Sequence, residues 1–232
     1  VHAYATAAKQ RGADVIEHNK VESLSQRADG TWDVLTEKGM VHAEHVVNAG
    51  GLWAKQVGRM AEVELPLAPL AHHYLVTESI PEVAALDFEV PMTVDLEGFT
   101  YMRQDQHGVL VGIYETNYQH WNVDGAPWEY GFELIQEDFD RISDELTCAY
   151  ERYPVLQDVG VKRWVNGAFT FSPDGNPLVG PVPGKRNYWL ACGVMAGFLQ
   201  GGGVGKSLAE WMIHGEAEAD VWPMDIARYG EF

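Results

Sequence analysis

Apolar and polar residues alternate with a period of two along several short stretches, the signature of half-buried strands. Val21–Gln26, Trp32–Thr36 and Val41–Val47 read this way, separated by the turn dipeptides Asp29-Gly30 and Lys38-Gly39. They predict a small antiparallel meander whose last strand runs into Asn48-Ala49-Gly50-Gly51. Ahead of it, the alanine-rich residues 2–11 predict a helix closed by Gly12, and Ala13–Glu17 predicts a short strand. Trp53 to Ala61 carries apolar residues at 53, 57, 60 and 61, the spacing of one helix face.

From Pro66 the strands lengthen. Ala68–Thr77 is one; Thr100–Gln104 and Val109–Tyr114 predict a hairpin around Asp105–Gly108; Val161–Phe171 is a third, rich in aromatic and β-branched residues. Between them Ile135, Phe139, Ile142, Leu146, Ala149 and Tyr153 repeat by fours and threes, predicting an amphipathic helix of about five turns that stops before Pro154. Ser172-Pro-Asp-Gly-Asn-Pro177 is a turn, followed by Leu178–Gly180.

The last pattern is a buried strand, Tyr188–Cys192, a glycine-rich turn, and a helix from about Gly201 to His214. Glycine lets a ligand approach the backbone, and a helix start favours negative charge. Close helix packing would also use glycine, so this stretch alone leaves both readings open. Two phosphate motifs fail here. Gln200 stands where a P-loop ending in Gly205-Lys206-Ser207 needs glycine, and Lys206 breaks G-x-G-x-x-G from Gly201. The order is therefore part of an α/β unit, an antiparallel sheet with one helix, then a return to the first unit. This α+β arrangement divides at 1–65, 66–170 and 171–232 and predicts a ligand cleft between lobes.

Composition narrows the partners. The chain has 232 residues and a formal net charge of −18. An acidic surface does not attract nucleic acid or an anionic membrane. Two cysteines, Cys148 and Cys192, imply no disulfide framework and fit a reducing compartment, cytoplasmic or the mitochondrial matrix in a eukaryote. No stretch is apolar and long enough to span a bilayer. Val1 opens inside a helical pattern, which suggests a fragment.

Taken together, Val46–Met60, Pro69–Thr77, Tyr101–Gln104, Val165–Pro181 and Asp225–Gly230 resemble the dimethylglycine and sarcosine dehydrogenase family of amino-acid-oxidase-like FAD oxidoreductases. The resemblance runs nearly the whole chain, in order. It implies a partial FAD-binding, Rossmann-like lobe and an antiparallel substrate lobe. It implies oxidation of a small N-methyl amino acid by hydride transfer to flavin N5, with electron-transfer flavoprotein as acceptor. Tetrahydrofolate would enter only through a further domain. An oxygen-using amine oxidase, or a non-catalytic paralogue serving as a binding module, are the alternatives. The family's glycine fingerprint and folate domain are expected outside these residues.

On that resemblance, Val194, Met195, Ala196, Gly197, Phe198, Leu199 and Gln200 face the flavin. Ala49, Gly50 and Gly51 lie near the diphosphate, Val21 offers a backbone contact to adenine, and Asp174 is either a turn residue or a cofactor contact. His72, His73 and Tyr74 are consecutive on a strand, so 72 and 74 share a face and 73 points away. Tyr74 is expected in the substrate pocket, and either histidine can serve as the proton acceptor. Neighbours on a strand diverge, so the two histidines do not predict a metal site. Tyr101 and Arg103 share a face, and Arg103 either pairs with a substrate carboxylate or forms an internal salt bridge. Trp164 and Phe169 are either apolar walls of the pocket or ordinary core.

Overall fold

A computed structural model describes residues 1–230; the last two residues of the 171–232 segment lie outside them. The elements are α1 (His2–Gln10), β1 (Val21–Gln26), β2 (Trp32–Thr36), β3 (Gly39–Ala43), β4 (Val46–Asn48), α2 (Ala54–Met60), β5 (Ala68–Thr77) and α3 (Pro81–Ala84). They continue with β6 (Thr93–Asp95), β7 (Thr100–Asp105), β8 (Gly108–Ile113), β9 (Gln119–His120), α4 (Ser143–Arg152), β10 (Val161–Phe171), β11 (Leu178–Pro181), β12 (Tyr188–Cys192) and α5 (Gly201–His214).

Three sheets result. β1-β2-β3 is an antiparallel meander; β11-β12-β4 pairs β12 with β4 in parallel; β10-β5-β8-β7-β6 is antiparallel, with β9 joined to β5. The first two sheets and α2 enclose a core of Leu24, Trp32, Leu65, Leu67, Tyr188 and Leu190. Trp32 and Tyr188 meet there with ring centroids 5.4 Å apart. The third sheet buries Leu75, Val109 and Val111 against Ala149 of α4 and Leu156. This lobe enters and leaves through neighbours in one ladder, since Ala68 of β5 pairs with Phe171 of β10. Two adjacent strand ends thus form the covalent stalk between lobes.

A second connection is polar. Four side chains on or beside α2 reach into the loop at 123–127: Trp53 Nε1 donates to Pro127 O (2.9 Å), Lys55 Nζ to Val123 O (3.1 Å), Gln56 Nε2 to Ala126 O (2.5 Å) and Arg59 Nη1 to Asp124 O (2.5 Å). Gly125 is needed in this strap. Its φ is +140°, and a Cβ would sit 2.6 Å from Gln56 Cδ.

Three expected elements differ. Residues 13–17 find no strand partner among the described residues; Glu17 O accepts from Lys38 Nζ instead. The strand expected over 41–47 breaks at Glu44-His45, where the chain leaves the meander so that β4 can pair with β12 and bury Asn48. The long helix over 135–153 is only Ser143–Arg152. Its expected first half gives its backbone donors to tertiary partners: Ile135 N–H bonds Asn166 O (2.8 Å) and Asp138 N–H bonds His73 Nε2 (3.2 Å). A helix would need those donors for itself. No described helix is long and apolar enough to cross a membrane.

Candidate active site

One face of the third sheet carries, across its registered pairs, Leu70 beside Phe169, His72 beside Gly167, Tyr74 beside Val165 and Gly112, and Tyr101 beside Gly112. A cavity of about 560 Å³ opens over this face, lined by Leu70, His72, Tyr114, Tyr118, Phe169 and Phe171 from the sheet lobe. Met195, from the turn before α5, closes the other side. A second space of about 440 Å³ shares Leu70, Tyr118 and Phe171 and runs toward Lys55 and Ser172.

The strand separates the two histidines. His72 stacks on Phe169 at 5.6 Å and lines the cavity. Burial lowers its pKa, an effect opposed by the charge of Glu115, so its imidazole is neutral near pH 7. His73 is on the opposite face with no exposed side-chain surface. Its Nδ1 lies 2.6 Å from Glu115 Oε1, and its Nε2 accepts from Asp138 N–H. That acceptor role places the ring proton on Nδ1, donated to Glu115.

Tyr74 and Tyr101 lie on the same sheet face as His72 but outside the cavity's lining, and the Tyr101 ring covers Gly112 so closely that any side chain there would collide with it. Tyr101 sits 5.2 Å from Tyr114. Burial, reinforced by Tyr114, raises its phenol pKa.

Other expected residues lie elsewhere. Arg103 is at the far end of β7, exposed, donating to Gln104 O and standing 3.8 Å from Asp105, the internal pairing of its two readings. Trp164 packs edge-on to Phe139 at 4.8 Å on the α4 side of the sheet, which is its core reading. Phe169 is in the cavity wall. Asp174 is held by Arg228 through two bonds (2.8 and 3.0 Å). The guanidinium, foremost, drives its carboxyl far below the usual range. Val21 opens β1 against Thr36 with its side chain against the core.

Glu115, Tyr114, Tyr118 and Arg141 were not singled out from the sequence. The available signal was an acid, Glu115, two residues after six consecutive buried positions of β8. An acid so close to a buried strand must find a partner or neutralise.

The second lobe's contribution fits a flavin dinucleotide. β4 and β12 run parallel and end at one edge, the usual place for a cofactor in an open α/β sheet. Asn48 Oδ1 accepts from Gly50 N–H (3.0 Å), and Gly51 turns with φ +56° into open space. Beyond β12, the space beside Gly197, Gly201 and Gly203 is open. The N–H groups of Gly202 and Gly203, in the first turn of α5, have no intrahelical acceptor. Gln200 Oε1 is buried without a partner among the described residues. Val194 and Ala196 flank Met195 in this turn, and Phe198 and Leu199 are each 86% exposed. A planar, electron-rich ring with polar edges suits such donors and apolar neighbours.

A parallel strand pair leading to a glycine-rich helix start, faced across a cavity by an inserted antiparallel sheet, defines a two-lobed oxidoreductase fold of the amino-acid-oxidase kind. The chain belongs to the DAO family of FAD dependent oxidoreductases, which it matches over residues 1–211. It is 46% identical to the mitochondrial dimethylglycine dehydrogenase of Mus musculus, over 99% of this chain and 27% of that protein. It is 37% identical to the mitochondrial sarcosine dehydrogenase of the same organism, over 96% of this chain and 24% of that protein. The chain thus spans about a quarter of the length of these curated relatives. In fold it is similar to the L-proline dehydrogenase of P. horikoshii (TM-score 0.81, 24% identity), covering 98% of this chain and 58% of that one.

Proposed function

We propose that this protein oxidises an N-methyl amino acid, dimethylglycine or sarcosine, in an FAD-dependent reaction. The observation that carries this reading is the aromatic cavity between the His72 face of the sheet and Met195 of the glycine-rich turn. The names of the two relatives at 46% and 37% identity support the substrate class. When bound, FAD supplies an acceptor for the hydride of the N-methyl carbon.

In this reading the chain's residues orient and desolvate. Phe169, Phe171 and Tyr114 exclude water from the amine. Neutral His72 presents a ring nitrogen able to take the ammonium proton, leaving the free amine that hydride loss requires. Tyr74 and Tyr101, on the same sheet face beside the lining, are assigned to orienting the amine. Were FAD bound beside it, the start of α5, with the free N–H groups of Gly202 and Gly203, would favour negative charge on the cofactor. Val21, Ala49 to Gly51 and Val194 to Gln200 belong to the cofactor side. Electron-transfer flavoprotein as acceptor, and tetrahydrofolate through a further domain, complete the reading. The mitochondrial relatives support a matrix location if the source is eukaryotic.

The test is anaerobic mixing of the full-length protein with dimethylglycine and, separately, sarcosine, following flavin absorbance. Bleaching is expected with at least one. Re-oxidation by oxygen would assign an oxidase. Bound flavin that neither amine reduces would move the substrate elsewhere, and absence of flavin would favour the binding module.

A further inference from the structure

The cavity has one wall without a β ladder. After β8 ends at Ile113, residues 114–118 join no β ladder before β9, and Tyr114, Glu115, Thr116 and Tyr118 all line the cavity. Apart from one backbone bond, Tyr114 N–H to Phe99 O (2.7 Å), the segment is held by buried carboxylates: Glu145 Oε1 accepts from Thr116 N–H and Oγ1 (2.9 and 2.6 Å), and Glu115 ties it to His73 and Arg141. Glu115 Oε1 accepts from His73 N–H (2.7 Å) and His73 Nδ1 (2.6 Å), while Oε2 accepts from Arg141 Nη1. The same guanidinium donates to Asn117 O at 3.1 Å. Glu115 and Arg141 are 1% and 7% exposed. A charge pair so enclosed keeps one geometry, because any departure strands a charge.

We propose that Glu115, held between His73 and Arg141, is a positioning residue that sets the cavity wall at 114–118 and thereby which N-methyl amine the cavity accepts. His73 acts here through Glu115 and does not meet the substrate. The proposal rests on reading the cavity as the amine site. Losing the carboxylate weakens the ties to β5 and to the Arg141 guanidinium together, leaving Arg141 to Asn117 O, Tyr114 N–H to Phe99 O and Thr116 to Glu145 as the remaining anchors, so Tyr114 and Tyr118 are held less tightly. A wall displaced by about an ångström changes near-attack geometry unequally for amines of different bulk.

The experiment uses full-length protein with Glu115→Gln, which keeps shape, and Arg141→Lys, which keeps charge. A core variant, Leu156→Ala, matches for lost stability. Amide exchange across 114–118 and the dimethylglycine to sarcosine ratio of kcat/KM are both read. Protection of 114–118 should fall about tenfold in Glu115→Gln. The substrate ratio should shift about tenfold or more, mainly through KM, with flavin content unchanged and Leu156→Ala leaving the ratio alone. An unchanged ratio in an active enzyme, or an equal shift in Leu156→Ala, overturns the proposal. If wild type oxidises neither amine, the substrate reading has failed separately. Amide exchange then decides: loss of protection confined to 114–118 supports the positioning role, and unchanged protection overturns it.

Discussion

The two sheet-lobe walls of the cavity are built on different physics. The wall of β5 and β10 carries Leu70, His72 and Phe169 on a ladder unbroken from Val76–Arg163 to Ala68–Phe171. Each side chain there is aimed by its own strand, and the period of two decides which face it takes. The wall at 114–118 has no such ladder and depends on its own Glu115 together with His73 of β5, Arg141 just before α4 and Glu145 in the first turn of α4. The first wall is local and redundant. The second is non-local, and removing one charged member leaves another charge buried alone.

Arg141→Met should break that second wall most strongly, costing about 3–5 kcal/mol because Glu115 keeps a buried charge without its cation; a chemical or thermal melt checks it. Leu75→Ala, in the core behind the ladder wall, should cost about 2–4 kcal/mol by leaving a void, yet leave the substrate ratio unmoved. A shifted ratio would show that the ladder wall is not independent of its core. The smallest expected effect is pH-dependent. Burial raises the Glu115 and Glu145 pKa values, but hydrogen bonds from His73 and Arg141, and from Thr116, outweigh it and hold both below the ordinary value. Folded-state pKa values depressed in this way stabilise above the unfolded value of about 4.3 and lose that contribution as pH falls through the folded values. Melting temperature should therefore fall between pH ~5 and ~3, and Glu145→Gln should flatten that slope.

The difference between the walls also explains what was legible beforehand. The strands, the hairpin and α5 follow from periods of two and 3.6, which depend on neighbours in sequence. His72 reaches the cavity by the same parity, while Tyr74 shares its sheet face without joining the lining. The helix expected over 135–153 has correct spacing for an amphipathic face, but Arg141 and the Asp138 and Ile135 amides are claimed by Glu115, His73 and Asn166. Arg103 has the right charge for a carboxylate, but the length of β7 carries it to the far end of the sheet. Glu115 was unreadable as a site residue because its partners lie 42 and 26 positions away.

By itself, then, the sequence determined most of the longer strands, α2, α5, the glycine-rich turn and the family resemblance, all carried by short-range spacing and motif. Only the tertiary structure decided which histidine faces the cavity, where the strap from α2 lands, and how a buried carboxylate shapes a wall that joins no β ladder. Those outcomes depend on desolvation and charge pairing between distant segments, and a buried charge is tolerated only where folding brings its partner to it.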